Sequence, residues 1–426
     1  MNLHYCLFEH QRVAAAGTRL TAADALLIPA RTFSWLLQQL DTSSQLFQLE
    51  ARRGVPVIKF QQYVGVLRCP DGVLLEVLPK TLRHGETSEN TRGLLLKMLS
   101  CVPEIKPLIQ PQAIVQLAKM PLLEVFLQLA LDSFSQVIHR GLRRDYVTEQ
   151  GNLLVLRGKL LVSQQLRHNL IHQERFFTAH DDYSQNRPEN RLLKSAVLLA
   201  NRMTRSAKQQ HLAHELLVRL GDVPPSAHLQ SDLRAVRLDR NMQHYRAALA
   251  WAKILLNQQS PTVGAGQQQA FSLWFDMNQL FERYVLACLQ KNLPSGHQVL
   301  AQTRQHTVLQ RQQPDRFEQH GVLKPDLLYQ IAGQTQQVLD TKWKLMEQVN
   351  ALQSVSPADL YQMHAYAAAY LPQGGQVFLI YPKTARFDQP ITGWRFMHVA
   401  GQQVELRLLP FCLDTGQLLG LAAHTT

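Results

Sequence analysis

The 426-residue sequence has few cysteines, and they follow no recognisable pattern. Its five cysteines are scattered and odd in number, and no C-x-x-C pair occurs. This argues against a zinc ribbon and a disulfide framework, and it indicates free thiols in a reducing compartment. The chain also lacks an apolar run of about 18 residues, the length needed to span a bilayer. Its first residues show no basic segment followed by an apolar core, as a signal peptide would. We therefore expect a cytoplasmic protein that does not engage a membrane.

Acidic residues are scarce relative to basic ones. The sequence contains 44 Lys and Arg against 32 Asp and Glu, which gives a formal net charge of +12. Such an excess favours a polyanionic partner, and without a membrane segment nucleic acid is favoured over lipid. A basic surface with no such partner is the alternative. The motif G-x-x-x-x-G-K-[ST] is also absent, so we expect no nucleotide bound in a P-loop of this chain.

The N-terminal third predicts strands and helices in alternation. The length and an apolar fraction of 46% favour two or three folded domains. Residues 62–68 alternate, a Pro-Asp-Gly turn follows, and residues 73–78 form an apolar run, which together predict a β-hairpin. Helices are predicted over residues 92–100 and 121–140, and a strand pair is predicted to turn at Gly151-Asn152.

The rest of the chain predicts an α/β region preceded by helices. Residues 187–256 are mostly helical by pattern, and residues 257–269 predict a linker because they have no apolar period. After it we expect a helix over 273–291, strands over 298–345, a helix over 357–370 and a strand over 376–381. The prediction is an α+β fold. A β-rich and helical module spans residues 1–160, and residues 161–426 hold a helical lead-in, to about 265, and an α/β core.

The strand–turn–strand segment over residues 322–343 carries the candidate chemistry. Side chains alternate along a strand, so Asp340 and Lys342 share one face while Thr341 points to the other. An antiparallel hairpin can bring Asp326 beside that face. Two carboxylates then hold a hard divalent cation, and the Thr341 carbonyl can add a ligand. Lys342 can orient a water or stabilise charge on a phosphate, which suits phosphodiester hydrolysis.

Chance is the competing explanation for this pattern. Pro-Asp also occurs at Pro70-Asp71 and Pro314-Asp315, but neither leads through an apolar strand and a tight turn to an acidic-x-Lys segment. The sequence Asp-x-Lys occurs only at Asp340. An exposed hairpin with scattered charges remains the alternative.

Two flanking helices add candidate residues. Glu282 lies in the predicted helix before the hairpin, where its carboxylate can face the metal site; a surface ion pair with a neighbouring Arg is the alternative. Gln362 and Tyr366 are four residues apart and share one face of the later helix. Gln362 can hydrogen-bond the nucleophile or a phosphate, or it is simply a polar residue on a half-exposed helix.

In this order, the elements carrying Glu282, Asp326, Asp340-Thr341-Lys342 and Gln362 resemble the PD-(D/E)XK nucleases of the RecB-like kind. Most of residues 60–385 also resembles the McrC family, the nuclease subunits of McrBC modification-dependent restriction systems. The segments that carry this second resemblance are Tyr63-Val64-Gly65-Val66, Leu75-Glu76-Val77-Leu78-Pro79-Lys80, Arg157-Gly158-Lys159-Leu160, Asn186-Arg187-Pro188-Glu189-Asn190 and Met277-Asn278-Gln279-Leu280-Phe281-Glu282.

The resemblance implies a division of labour between two proteins. It implies a Mg²⁺-dependent endonuclease in which Asp326, Asp340 and Thr341 hold the metal, Lys342 is catalytic, and Glu282 and Gln362 support them. It further implies a McrB-like AAA+ GTPase hexamer that binds GTP and recognises methylated double-stranded DNA, into which the N-terminal module inserts. Two alternatives stay open: a GTPase-activating assembly subunit whose nuclease site is inactive, and a stand-alone RecB-like DNA nuclease.

Overall fold

A computed structural model of the chain describes residues 4–40, 43, 45–80, 87–102, 109, 111–172, 174–257, 270–291, 293–312, 317–346, 351–397 and 403–420. The chain forms two compact units. The discontinuous unit combines Met1–Lys119 with Gly266–Thr426, and the inserted unit is Met120–Ala265. The predicted module boundary near residue 160 falls inside the inserted unit. Whether it also marks a functional boundary stays a prediction.

The strands are numbered in sequence order. They are β1 His4–Phe8, β2 Arg12–Ala15, β3 Leu26–Ile28, β4 Phe47–Arg52, β5 Val55–Phe60, β6 Tyr63–Arg68, β7 Leu74–Leu78, β8 Asp145–Leu153, β9 Lys159–Leu160, β10 Phe176–Ser184, β11 Phe271–Asp276, β12 His297–Ala301, β13 His306–Gln312, β14 Phe317–Leu323, β15 Leu327–Ile331, β16 Gln334–Thr341, β17 Gly375–Pro382, β18 Ile391–Phe396, β19 Val404–Cys412 and β20 Gln417–Leu418.

The α-helices are numbered in the same way, and single 3-10 turns cover Pro111–Ala113 and Arg240–Tyr245. The helices are α1 Ala30–Gln38, α2 Ser88–Leu99, α3 Ile114–Leu117, α4 Leu122–Arg140, α5 Val162–His168, α6 Pro188–Met203, α7 Ala207–Arg219, α8 Leu229–Ala235, α9 Arg246–Asn257, α10 Met277–Lys291, α11 Ala351–Ser354 and α12 Pro357–Tyr370. Among the described helices, none is long and apolar enough to cross a membrane.

The N-terminal part of the discontinuous unit contains two four-stranded sheets, with orders β3-β2-β5-β4 and β1-β7-β6-β11. Strands β6 and β7 form the predicted hairpin, and β11 joins it from about 200 residues later in the chain. Gly65 has φ 146°, and a Cβ there would lie 1.9 Å from the carbonyl oxygen of Leu273 in β11. Only glycine permits this approach. The N- and C-terminal parts therefore share one sheet, which explains why they form one unit.

The C-terminal part contains a sheet of order β12-β15-β16-β17-β19-β18, with β20 beside β19. Strands β15 and β16 are an antiparallel hairpin, whereas β16, β17 and β19 are parallel. Helix α12 lies in the connection between the parallel strands β16 and β17, as a parallel pair requires. It packs Met363 and Ala367 into a core with Val338 and Val377. This packing fixes α12 beside the end of β16.

The inserted unit contains helices and a three-stranded sheet of order β8-β10-β9. Helix α4, predicted over residues 121–140, has a broad buried face, and its end is capped by Gly141 with φ 96°. The rings of Phe126 and Trp251 pack 6.1 Å apart in the core between α4 and α9. The inserted unit thus has its own apolar core.

Most predicted elements are present, and two predictions about individual elements are wrong. The pair turning at Gly151-Asn152 does not form, because β8 continues through both residues and pairs along its whole length with β10. The helix predicted to start at residue 273 starts at Met277, because Phe271–Asp276 pairs with β6 as a strand. The helix at 357–370 and the strand at 376–381 are confirmed. In the predicted linker, residues 258–269 lie outside the described residues.

Candidate active site

Asp326 and Asp340 lie side by side where β15 begins and β16 ends. Leu327 pairs with Leu339 across the hairpin. Asp326, which precedes Leu327, therefore lies next to Asp340, which follows Leu339. Oδ2 of Asp326 accepts hydrogen bonds from the Thr341 backbone N–H at 2.7 Å and the Thr341 hydroxyl at 2.8 Å. The predicted hairpin therefore brings these acidic residues together, with Asp326 held in place by Thr341.

Lys342 joins Asp340 to helix α12. Its Nζ lies 2.8 Å from Oδ2 of Asp340 and 3.3 Å from Oδ1 of Asp359. It also donates a hydrogen bond to Oε1 of Gln362 at 3.2 Å. Asp340 and Lys342 thus share a face, as the alternation predicted, and the ammonium group makes two ion pairs and one hydrogen bond.

Burial and neighbouring charge shift the pKa values of this pair. Burial, followed by the charge of Asp326, raises the pKa of Asp340 to about 7, against the opposing effect of Lys342. Burial lowers the pKa of Lys342, but the Asp340 and Asp359 carboxylates outweigh it, and the net pKa is raised. Lys342 is therefore a cation at neutral pH. Perturbed carboxyl pKa values of this kind are typical of functional sites.

Gln362 and Tyr366 connect α12 to the start of the hairpin. Nε2 of Gln362 donates to the Tyr366 hydroxyl at 2.9 Å, and that hydroxyl donates to the Lys324 carbonyl at 2.8 Å. Burial, followed by the charge of Asp340, raises the pKa of Tyr366 to about 12, so the phenol stays neutral and keeps donating. The predicted common face of the two residues is present, and it holds the chain two residues before Asp326.

Glu282 reaches the site through an intermediate residue. It is buried on α10, and Oε1 accepts a hydrogen bond from Nε2 of Gln302 at 2.9 Å. The backbone N–H of Gln302 in turn donates to the Asp326 carbonyl at 2.9 Å. Burial, followed by the charge of Asp326, raises the pKa of Glu282. Glu282 is thus a buried neighbour of Asp326, and the alternative of a surface ion pair does not describe it.

The sequence did not indicate Gln302 or Asp359. Gln302 has φ 48°, just after β12, and lies in a Gln-rich stretch that offers no distinguishing pattern. Asp359 had a usable signal, because Ser356 caps α12 by accepting from the Asp359 N–H at 3.1 Å, and Pro357 follows the cap. The pattern Ser-Pro-x-Asp is typical of a helix start, where an acidic side chain is favoured. This pattern indicates that Asp359 lies on the first turn of α12, but it does not indicate that Asp359 lies beside Lys342.

The donor atoms suit a hard divalent cation. Within the described ranges, no group of three or more His, Cys, Asp or Glu could hold a metal ion. The predicted set needs only the Asp326 and Asp340 carboxylates and the Thr341 carbonyl, which are all oxygen donors. Burial next to Asp326 disfavours the charged form of Asp340. A cation bound here would relieve that cost, so these residues fit Mg²⁺.

Comparison with known proteins gives the family. The family model described as "McrBC 5-methylcytosine restriction system component" matches residues 58–382, more than half of the chain. The chain belongs to the McrBC family. The predicted resemblance is confirmed, and the predicted α+β class agrees with the mixed helices and sheets. No curated protein matches the chain.

Two solved McrBC structures resemble the chain. The first is a refined half-complex from a tetradecameric assembly of Thermococcus gammatolerans McrB AAA+ hexamers with bound McrC. There the TM-score is 0.67 at 21% identity, covering 98% of this chain and 97% of that one. The second is the Thermococcus gammatolerans McrBC complex, with a TM-score of 0.48 at 24% identity over 68% of this chain and 88% of that one. The first match shows a shared fold that extends beyond residues 60–385.

Proposed function

We propose that this McrBC-family chain is the Mg²⁺-dependent DNA endonuclease subunit of a restriction system. In this proposal it works with a McrB-like AAA+ GTPase hexamer in the cytoplasm and cleaves double-stranded DNA that contains methylcytosine. The observation that carries the proposal is the cluster of Asp326, Asp340, Thr341 and Lys342 at one end of the β15–β16 hairpin. Its arrangement corresponds to the PD-(D/E)XK motif in which two acidic residues and a lysine act on a phosphodiester.

The chain's own groups have distinct roles in this mechanism. Asp326, fixed by two hydrogen bonds from Thr341, and Asp340 supply negatively charged oxygens. Lys342 carries a positive charge, which stabilises charge developing on the phosphate. Gln362, bonded to both Lys342 and Tyr366, holds the ammonium in place. Bound Mg²⁺ would supply a more acidic water and polarise the phosphoryl oxygen.

Glu282 and Gln302 support the acidic pair. The Gln302 backbone holds the Asp326 main chain while its side chain holds Glu282. Burial, followed by the charge of Asp326, raises the pKa of Glu282, so a third carboxyl group lies close enough to Asp326 to interact with its charge. Such a cluster of carboxyl groups favours a divalent cation over a further anion.

The DNA substrate is supported by charge. The chain has a net charge of +12, and phosphate contacts by Lys and Arg supply most of the affinity in non-specific DNA binding. Among the described residues, no group of three or more His, Cys, Asp or Glu could hold the zinc ion of a base-reading zinc module. We therefore assign recognition of the modified base to the partner.

The inserted unit offers the surface that best suits a partner ring. The hairpin strand Leu74–Leu78 is entirely buried, so it is not itself a docking surface. Around α5 and after β8, by contrast, large apolar side chains face solvent: Leu154, Val155, Leu156, Val162, Leu166, Leu170 and Ile171, each more than half exposed. Exposed apolar side chains concentrated in one segment are typical of protein interaction sites. We assign the contact with the GTPase to this segment.

Reconstitution tests the proposal and separates it from its alternatives. The full chain is mixed with a McrB-like hexamer, GTP and Mg²⁺, and plasmids with and without methylcytosine are compared for cleavage. We expect cleavage of methylated plasmid only, abolished by EDTA or by omitting the GTPase. Increased GTP turnover without cleavage would favour an assembly subunit with an inactive site. Cleavage without the partner would favour a stand-alone nuclease.

A further inference from the structure

A buried carboxyl group connects the first strand to the end of the candidate active-site strand. Glu9 follows β1 and is only 2% exposed. Its Oε1 accepts hydrogen bonds from the indole Nε1–H of Trp343 at 2.6 Å and from the backbone N–H of Lys80 at 2.8 Å. Its own N–H donates to the Leu78 carbonyl at 2.9 Å. Residues more than 300 positions apart are thereby joined within the discontinuous unit.

Trp343 is adjacent to one candidate site residue in the sequence, and it contacts the residue next to another. It directly follows Lys342, at the point where the chain leaves the sheet after β16. Its ring lies 5.4 Å from that of Phe281 at an interplanar angle of 57°, and Phe281 precedes Glu282 on α10. The indole is therefore held on one side by the Glu9 carboxyl and on the other by the helix that carries Glu282.

Burial of the Glu9 carboxyl at this position is energetically unfavourable. Within the described part of the chain, its Oε2 has no hydrogen-bond partner, since the nearest cationic candidate, Nε2 of His10, is 3.9 Å away. Burial raises the pKa of Glu9, against the hydrogen bonds from Trp343 and Lys80. A buried polar atom without a partner destabilises the fold. A cost of this kind is typical of groups whose position serves a function.

We propose that Glu9 is a positioning residue for the nuclease site, acting through Trp343. By fixing the indole, Glu9 holds the end of β16 from which Lys342 reaches Asp340. The fixed indole also keeps Phe281, and with it the neighbouring Glu282, in position. The Lys80 N–H orients the carboxyl for this contact. The inference rests on the proposed function for its catalytic consequence, but the contact itself is testable without cleavage.

The test uses full-length variants assayed with the GTPase partner. Glu9→Ala removes the acceptor, Glu9→Gln keeps an acceptor oxygen without charge, and Trp343→Phe keeps the ring but removes the indole N–H. Trp394→Phe, a partly exposed tryptophan on β18, is the matched control. For each we measure kcat and KM for DNA cleavage, GTP turnover and the melting temperature.

We expect Glu9→Ala and Trp343→Phe each to lower kcat about tenfold, with KM for DNA and GTP turnover unchanged. Glu9→Gln should restore near-normal kcat, and Trp394→Phe should have no effect. The double variant Glu9→Ala with Trp343→Phe should be no slower than the slower single variant, because both remove the same contact. A lowered melting temperature with normal kcat, or fully additive losses, would overturn the inference.

Two further measurements keep the inference separate from the proposed function. The Trp343 indole proton, assigned by its loss in Trp343→Phe, should shift in the NMR spectrum of Glu9→Ala and stay near its place in Glu9→Gln. Calorimetric Mg²⁺ binding should weaken several-fold in Glu9→Ala but not in Glu9→Gln. If wild type cleaves no DNA, the proposed function fails while these two readouts still decide the positioning role. An unmoved indole proton or unchanged Mg²⁺ affinity in Glu9→Ala overturns it.

Discussion

Nζ of Lys342 lies 2.8 Å from Oδ2 of Asp340, so the candidate catalytic cation neutralises a candidate metal ligand. The same ammonium also contacts Asp359 and Gln362 on α12. In the proposed mechanism, a divalent cation at Asp340 would compete with the Lys342 ammonium for one carboxylate. That mechanism gives the two residues separable roles, because Asp340 would supply ligand charge while Lys342 would supply positive charge to the substrate.

Asp340→Asn should abolish DNA cleavage and leave the fold intact. The amide keeps the shape of the carboxyl but removes its ligand charge, and we expect a loss of about 100-fold or more in the cleavage rate. The assay is methylated-plasmid cleavage with partner, GTP and Mg²⁺. The control is Asp388→Asn, which changes an exposed aspartate in a loop, and this variant should cleave DNA at the normal rate. Equal rates for Asp340→Asn and wild type would refute the site assignment, and Asp326→Asn should behave as Asp340→Asn does.

Lys342→Ala should lose cleavage while metal binding is retained. Removing the ammonium deletes a positive charge near the phosphate but leaves Asp326, Asp340 and the Thr341 carbonyl in place. Because the ammonium no longer competes for Asp340, Mg²⁺ affinity measured by calorimetry should be equal to that of wild type or higher. A large fall in Mg²⁺ affinity would show that Lys342 organises the metal ligands instead.

The sequence predicted only part of the arrangement of the acidic residues. Period-two alternation placed Asp340 and Lys342 on one face, and the hairpin brought Asp326 to the same end of the two strands. The short turn alone would put Asp326 opposite Leu339. A register shift between Tyr329 and Gln330, which the sequence did not indicate, puts it next to Asp340 instead. The placement of Gln302 depends on its own positive φ, at a single residue. The contact of Asp359 with Lys342 depends on how α12 packs. Neither leaves a periodic signal in the sequence.

Pairing between distant segments explains the errors at the level of elements. Residues 271–276 have a pattern that is compatible with the start of a helix, and only the pairing with β6 makes them a strand. Likewise, Gly151-Asn152 is a typical hairpin turn, but β10 pairs straight across it. In both cases, the local preference for a helix or for a turn was outweighed by a partner strand that local sequence patterns do not reveal.

DNA binding by the isolated chain should be weak, insensitive to sequence and strongly dependent on salt. The net charge of +12 favours phosphate contacts, and each contact releases counterions on binding. Between about 50 and 200 mM salt we expect the affinity to fall by two orders of magnitude or more, measured by fluorescence anisotropy. Binding that persists at high salt and distinguishes methylated from plain DNA would contradict this expectation.

Ile171→Glu should weaken stimulation of the GTPase without affecting the fold. Ile171 is 87% exposed in the apolar segment of the inserted unit, and a charge there opposes burial against a partner. Val218→Glu is the matched control, because Val218 is 77% exposed on α7 of the same unit. We expect GTP turnover by the McrB-like ring to fall several-fold with Ile171→Glu only, and to be normal with Asp340→Asn. Equal stimulation by both glutamate variants would place the contact elsewhere.

Glu9→Gln should change how the stability of the metal-free protein depends on pH. Burial raises the pKa of Glu9 from 4.5 to about 7, with Asp276 adding to the shift and Lys80 and Trp343 opposing it. The imidazole of His10, whose own pKa is lowered by burial, is 3.9 Å from the carboxyl. The folded protein thus binds this proton more tightly than the unfolded chain. The contribution of Glu9 is therefore most favourable below pH 4.5, is lost as the pH rises to 7, and is constant above that. A shift of this size corresponds to roughly 3 kcal/mol.

Because glutamine does not ionise, the free energy of unfolding of wild type minus that of Glu9→Gln, measured by urea at pH 5 and pH 8, should decrease as the pH rises. Parallel stability curves for the two proteins would show that Glu9 titrates normally in the fold.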